Sequence, residues 1–170
     1  MEKRVIVKKG YIYKVELEDG TIRYFQYIGE DKSNLNADVI CVFKKHYTES
    51  DEDGLSVDTI VNDDIEFYTH TSVSAGVKLG LWSRAFTNSP VIHENNIFFR
   101  RTPDIIKIRA NQPPVVSYRW YVWEMNGKER FVGWLRKKYS HYELGRIYSP
   151  YSVVERLKTG ERETAYDLIK

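Results

Sequence analysis

Between Tyr11 and Ile28 the chain alternates apolar and polar residues twice about one Asp19-Gly20 turn, and that pattern dictates a hairpin. Tyr11, Tyr13, Val15 and Leu17 point one way, Glu18-Asp19-Gly20 reverses the chain, and Ile22, Tyr24, Gln26 and Ile28 return it. An Asp-Gly pair between period-two runs is a strong hairpin signal because glycine accepts the positive φ that the turn demands. Val39, Cys41 and Phe43 supply a third strand within Asp38 to Tyr47. Three bent antiparallel strands in this order open small SH3-like barrels.

Further along, the apolar groups of Asp58 to Thr71 predict one or two strands joined at Asn62-Asp63-Asp64, and Gly29 to Ala37 is a polar connection. Ser72 to Phe86 mixes helical and extended spacings, so an irregular connection that buries Trp82 is expected. Ile97-Phe98-Phe99 and Ile105 to Arg109 are strand-like, and Pro113-Pro114 stops regular structure. Val115 to Met125, the Asn126-Gly127 turn and Arg130 to Leu135 form a second ribbon with rings on both sides. Ser149-Pro150 opens a short helix ending near Lys158, with a capping box at Ser152 to Glu155 and a stop at Thr159-Gly160. Val153, Val154 and Leu157 would dock it.

The fold class that follows is mainly β (α+β): a strongly bent antiparallel SH3-like barrel or sheet, a second aromatic β-ribbon and one short C-terminal helix. One domain over residues 1–170 is expected; any sub-lobes would be an SH3-like β lobe at 1–110 and the ribbon plus helix at 115–170. Its 13 tyrosines and 4 tryptophans suit both pleated cores and recognition surfaces. The single cysteine, Cys41, falls inside an apolar alternation and is expected to be buried, which fits a reducing compartment. No segment has the apolar length of a membrane span, so a cytoplasmic protein is expected.

Charge is unevenly placed. Residues 1–95 hold 11 Lys and Arg against 16 Asp and Glu, whereas residues 96–170 hold 15 against 8, so the halves carry −5 and +7. Two candidate contact surfaces follow. Asp51, Glu52, Asp53, Asp63 and Asp64 could present carboxylates to a basic protein partner. Arg119, Trp123, Arg130, Trp134, Arg136, Lys137, Lys138, Tyr139 and Tyr142 combine cations with stacking rings, as single-stranded nucleic-acid binders do.

Reactive constellations are missing. There is no Gly-x-Ser-x-Gly, no phosphate-cradling glycine loop and no His-Glu-x-x-His among His46, His70, His93 and His141. His93-Glu94 are chain neighbours that would face opposite ways on a strand. Asp51-Glu52-Asp53-Gly54 lacks the remaining ligands of a calcium loop. No catalytic residue, metal site or cofactor is expected, and the chain reads as a binding protein.

The run Lys9-Gly10-Tyr11-Ile12-Tyr13-Lys14-Val15, then Gly20-Thr21-Ile22-Arg23-Tyr24-Phe25-Gln26-Tyr27-Ile28, Gly80-Leu81-Trp82 and Asn88-Ser89-Pro90-Val91, resembles the immunity protein 26 family of bacterial polymorphic-toxin systems. The resemblance spans roughly residues 5–100. It implies a cytoplasmic protein that binds and neutralises a toxin domain, and it carries no catalytic residues. The alternative is a nucleic-acid-binding module that uses the basic, aromatic C-terminal ribbon.

Overall fold

The computed structural model describes residues 4–104 and 117–162, so the expected strand at Ile105 to Arg109 and the Pro113-Pro114 boundary lie outside the described residues. Strands β1 (Ile12–Glu16), β2 (Ile22–Asp31), β3 (Ala37–Phe43), β4 (Ile65–Thr71) and β5 (Ser83–Phe86) form an antiparallel sheet in the order β4-β3-β2-β1-β5. A second sheet, ordered β8-β7-β6-β9, contains β6 (Phe98–Arg101), β7 (Trp120–Glu124), β8 (Arg130–Gly133) and β9 (Glu143–Leu144), with β6 and β9 parallel. The fold is mostly β, and neither sheet closes into a barrel.

The first sheet is buried on both faces, which explains the nearly continuous apolar run Val39-Ile40-Cys41-Val42-Phe43 in β3. On one face Ile12, Ile22, Tyr24, Ile28, Val39, Cys41 and Phe43 pack with Phe99 and Trp123 of the second sheet. On the other, Tyr13, Val15, Phe25, Ile40, Val42 and Phe67 pack with Trp82, Val153 and Leu157. The result is three layers, the second sheet, the first sheet and the helical segments that bear Val73, Val153 and Leu157, while the helical Ile60 and Val61 lie on the second-sheet side. The register pairs Tyr13 with Phe25 and Glu16 with Ile22, so the two alternations that flank the turn serve opposite faces. Cys41 is fully buried.

Three expectations are corrected in detail. The first half of Asp58 to Thr71 is a helix, α1 (Val57–Val61), because Ser56 caps it by accepting from Thr59 N at 3.2 Å, and its adjacent Ile60 and Val61 are both buried. Ser72 to Phe86 is ordered: Ser72 accepts from Ala75 N to start α2 (Val73–Lys78), and β5 follows. Trp82 is buried as expected, its indole N–H donating to Val73 O at 2.9 Å. Its ring lies so close to Gly76 that a Cβ there would stand 1.9 Å from Cζ2, so only glycine fits. At the third helix, α3 (Pro150–Thr159), the cap is Ser149, which accepts from Ser152 N at 3.1 Å; the predicted Ser152 box is already inside the helix. Gly160 ends it in the left-handed conformation at φ 70°.

Candidate functional site

Two buried polar residues at opposite ends of β2 fasten the layers. Arg23, 1 % exposed, donates to Phe43 O at 3.0 Å and to Leu157 O at 3.1 Å, and pairs with Glu66. A guanidinium on the last turn of α3 also meets the negative end of the helix dipole. At the other end, β2 runs beyond the predicted Ile28, through a register shift between Tyr27 and Gly29, to deliver Asp31 into the interior. Asp31 Oδ2 accepts from His70 Nε2 at 3.0 Å and from Trp123 Nε1 at 2.8 Å, while Oδ1 accepts from Asn126 N at 3.1 Å.

Asp31 and His70 have no solvent exposure and Trp123 has 2 %. Burial on its own raises the Asp31 pKa, but the bonds from Trp123, His70 and Asn126 outweigh it and hold the carboxyl below its ordinary 3.8. His70 is lowered from 6.5, first by burial, against the pull of Asp31. Geometry agrees: Nδ1 is buried with no partner, so a proton there would be an orphan donor and the neutral ring is favoured. His70 packs 4.1 Å from the Phe99 ring centroid, leaving no approach for a substrate. The triad is a clamp between the sheets.

Of the acidic residues named from sequence, Asp51 and Asp63 both lie within electrostatic reach of Tyr47, and Asp51, Glu52 and Asp63 are each employed locally. Asp51 accepts from Thr48 N at 2.7 Å, and Glu52 accepts from Lys14 Nζ and Tyr24 Oη, both at 3.0 Å. Asp63 accepts from Lys45 N and Asp64 N, whereas Asp53 and Asp64 have exposed side chains. Lys14 pairs with Glu52 and Lys45 stands beside Asp51, so these carboxylates sit among cations.

The basic set divides. Trp123 is core, as above, and cannot stack on a partner. Arg130 donates to Tyr139 Oη at 3.1 Å, and Lys138 lies 4.9 Å over the Tyr139 ring. Arg136 caps a 3-10 turn at Lys137–Tyr139 and is exposed with both lysines.

Of the rings presented outward on and beside β7 and β8, Trp134 belongs to the basic aromatic set expected from sequence, whereas Tyr118, Tyr121 and Phe131 do not. Phe131 is 58 % exposed and packs 5.3 Å from Tyr121, while Tyr118 and Trp134, 60 % and 41 % exposed, pair at 5.7 Å. Arg101 lies 6.0 Å over the Tyr121 ring and holds Glu129 Oε2 at 2.7 Å. Arg119 donates to Asp104 Oδ1 at 3.0 Å. Alternation alone could have separated Tyr121 from its buried neighbours Trp120 and Val122, but not from Trp123, which shares its face.

Among the described residues no three His, Cys, Asp or Glu side chains are placed to hold a metal ion. His93 and Glu94 part company: His93 Nε2 donates to Val61 O at 2.9 Å and Glu94 pairs with Lys9. No helix among the described residues is long and apolar enough to cross a membrane. No protein-family model, curated protein or solved structure matches the chain.

Proposed function

We propose that the chain is a non-catalytic protein-binding module that engages its partner through the ring-and-arginine surface of β7 and β8. The observation that supports this most is the exposure of Tyr118, Phe131 and Trp134 beside arginines already paired with carboxylates, Arg101 with Glu129 and Arg119 with Asp104. Tyrosine, tryptophan and arginine dominate the energetic centres of protein interfaces. Pairing neutralises the arginines, and carboxylates on the same surface would repel a phosphate backbone, which favours a protein partner over nucleic acid. Toxin neutralisation, implied by the resemblance over residues 5–100, is the specific form of this reading, with Asp53 and Asp64 steering a basic toxin domain towards the molecule.

A second reading, single-stranded nucleic-acid binding, draws on the exposed Arg136, Lys137 and Lys138 next to Trp134. One pair of measurements separates the two. The protein is titrated with a random single-stranded oligonucleotide at about 50 mM salt, and with the protein encoded by the neighbouring reading frame. The protein-binding reading expects no oligonucleotide affinity and a partner affinity that Phe131→Ala with Trp134→Ala weakens at least about tenfold. Steeply salt-dependent oligonucleotide binding overturns it.

A further inference from the structure

We infer that a groove on the opposite side of the molecule, bounded by the N-terminal segment, α2 and β5, is a binding site for an apolar carboxylate. The groove encloses about 610 Å³, within the range of small-ligand sites. Arg4, Lys78 and Arg84 stand on its walls, and Ile6 and Val77 give it an apolar lining. Ile6 is 55 % exposed, so the groove leaves open a side chain that a ligand's hydrocarbon body would cover.

The feature that points to a ligand is Tyr13. Its ring is 1 % exposed and stacked 5.2 Å from Phe25, fixing it in the core, yet the residue lines the groove and its hydroxyl has no hydrogen-bond partner. A buried hydroxyl without an acceptor is costly. Tyr13 is the cross-strand partner of Arg84, which places a guanidinium on the same side of the β1–β5 pair. Burial pushes the Tyr13 pKa up to about 12, so at neutral pH the phenol is a donor.

The groove therefore offers an O–H donor and cations to one anion. Neither Arg4 nor Arg84 has an ion pair with a carboxylate among the described residues; Arg84 instead lies 5.3 Å over the Tyr11 ring. Among the described residues Asp38 is the carboxylate that acts on Tyr13; it lines the adjoining groove with Arg4 and accepts from Val73 N at 2.9 Å. A carboxylate would receive charge-assisted hydrogen bonds from Arg84 and Tyr13, while its chain or ring lies on Ile6 and Val77. Such a group occurs on free alkyl or aryl acids and at the C-terminus of a peptide ending in an apolar residue.

The test is an amide-resolved NMR titration with 3-phenylpropionate, 3-phenylpropionamide, and the peptide acetyl-Ala-Leu-Phe as free acid and as amide. Saturable shifts at Tyr13, Val77 and Arg84 are expected for the acids, with each matched amide about tenfold weaker. Tighter binding of the peptide acid assigns the site to a chain end, and tighter binding of 3-phenylpropionate assigns it to a free acid. Tyr13→Phe should weaken the acids about tenfold without lowering the melting temperature, since it removes an unsatisfied buried hydroxyl. Arg84→Gln should weaken them at least as much. Equal shifts from acids and amides, no saturation up to about 10 mM, or unchanged affinity in both variants would overturn the assignment.

Discussion

Replacing Asp31 by asparagine keeps the shape of the buried clamp and removes its charge. The carboxylate accepts three N–H donors, from His70 at 3.0 Å, Trp123 at 2.8 Å and Asn126 at 3.1 Å. An amide has one accepting oxygen, so its NH2 must face a donor. The cheaper orientation turns it towards the N–H of the exposed turn residue Asn126, losing one bond to a charged group, about 1.5–3 kcal/mol. The two surviving bonds fall from charge-assisted to neutral strength, about 0.5–1 kcal/mol each. A total loss of about 2.5–5 kcal/mol, or about 5–20 °C in melting temperature for a chain of this length, is expected. Urea unfolding followed by tryptophan fluorescence at pH 7.5 reads it directly. A loss below about 1 kcal/mol with an unchanged denaturant slope would show that the clamp does not fasten the sheets.

Acidification should weaken the same clamp. Because the native His70 pKa lies below 6.5, the unfolded chain binds the proton first and stability falls as pH drops through 6.5; the lowered Asp31 removes more below about 3.8. The check is urea unfolding across pH 7.5 to 5, with NMR showing the His70 ring titrating below 6.5. Gly145→Ala should cost about 1–3 kcal/mol or more, since a Cβ would stand 1.8 Å from Trp123 Cη2, whereas Gly127→Ala meets its nearest atom, Glu124 O, at 2.9 Å and should cost less; thermal melts of the pair test this. Ser149→Ala removes the acceptor for Ser152 N and should cost about 1 kcal/mol, measured by the same melts.

The strands were legible where one residue type settled the matter. Asp19-Gly20 marks the β1–β2 hairpin and Asn126-Gly127 the β7–β8 hairpin, and Ser149-Pro150 with Gly160 brackets α3. Legibility failed where a short helix competes with a strand. Ile60-Val61 satisfies either, and only the capping bond at Ser56 decides. The clamp was hidden for a different reason. Asp31 follows Gly29 and Glu30 in a stretch whose composition says loop, and nothing local reveals that the register shift at Gly29 carries the strand inward. Its partners lie 39 and 92 positions away in sequence, so only the tertiary fold could join them. Trp123 was named as a stacking surface because rings at alternating positions of β7 look alike; the first sheet covers that one and leaves Tyr121 at the margin.

β2 works as the spine of the molecule because it holds an ionic anchor at each end. Arg23 draws on the end of α3 and Asp31 on the second sheet, both from buried positions of the strand. Hydrophobic contact alone resists separation of layers but is nearly indifferent to sliding, whereas a carboxylate that must meet three N–H groups within about 3 Å admits one registry. Through Trp123 and Asn126, Asp31 fixes β7 and the turn that follows it, and β7 carries Tyr121 against Phe131 of β8. The proposed contact surface is thereby built on a strand locked to the core. Loss of the clamp should therefore reach partner affinity as well as stability: Asp31→Asn, held well below its melting temperature, should bind more weakly through faster dissociation or slower docking, although it touches no exposed ring. Full partner affinity in a variant shown by NMR to have a loosened β7 would separate the contact surface from the strand that is argued to hold it.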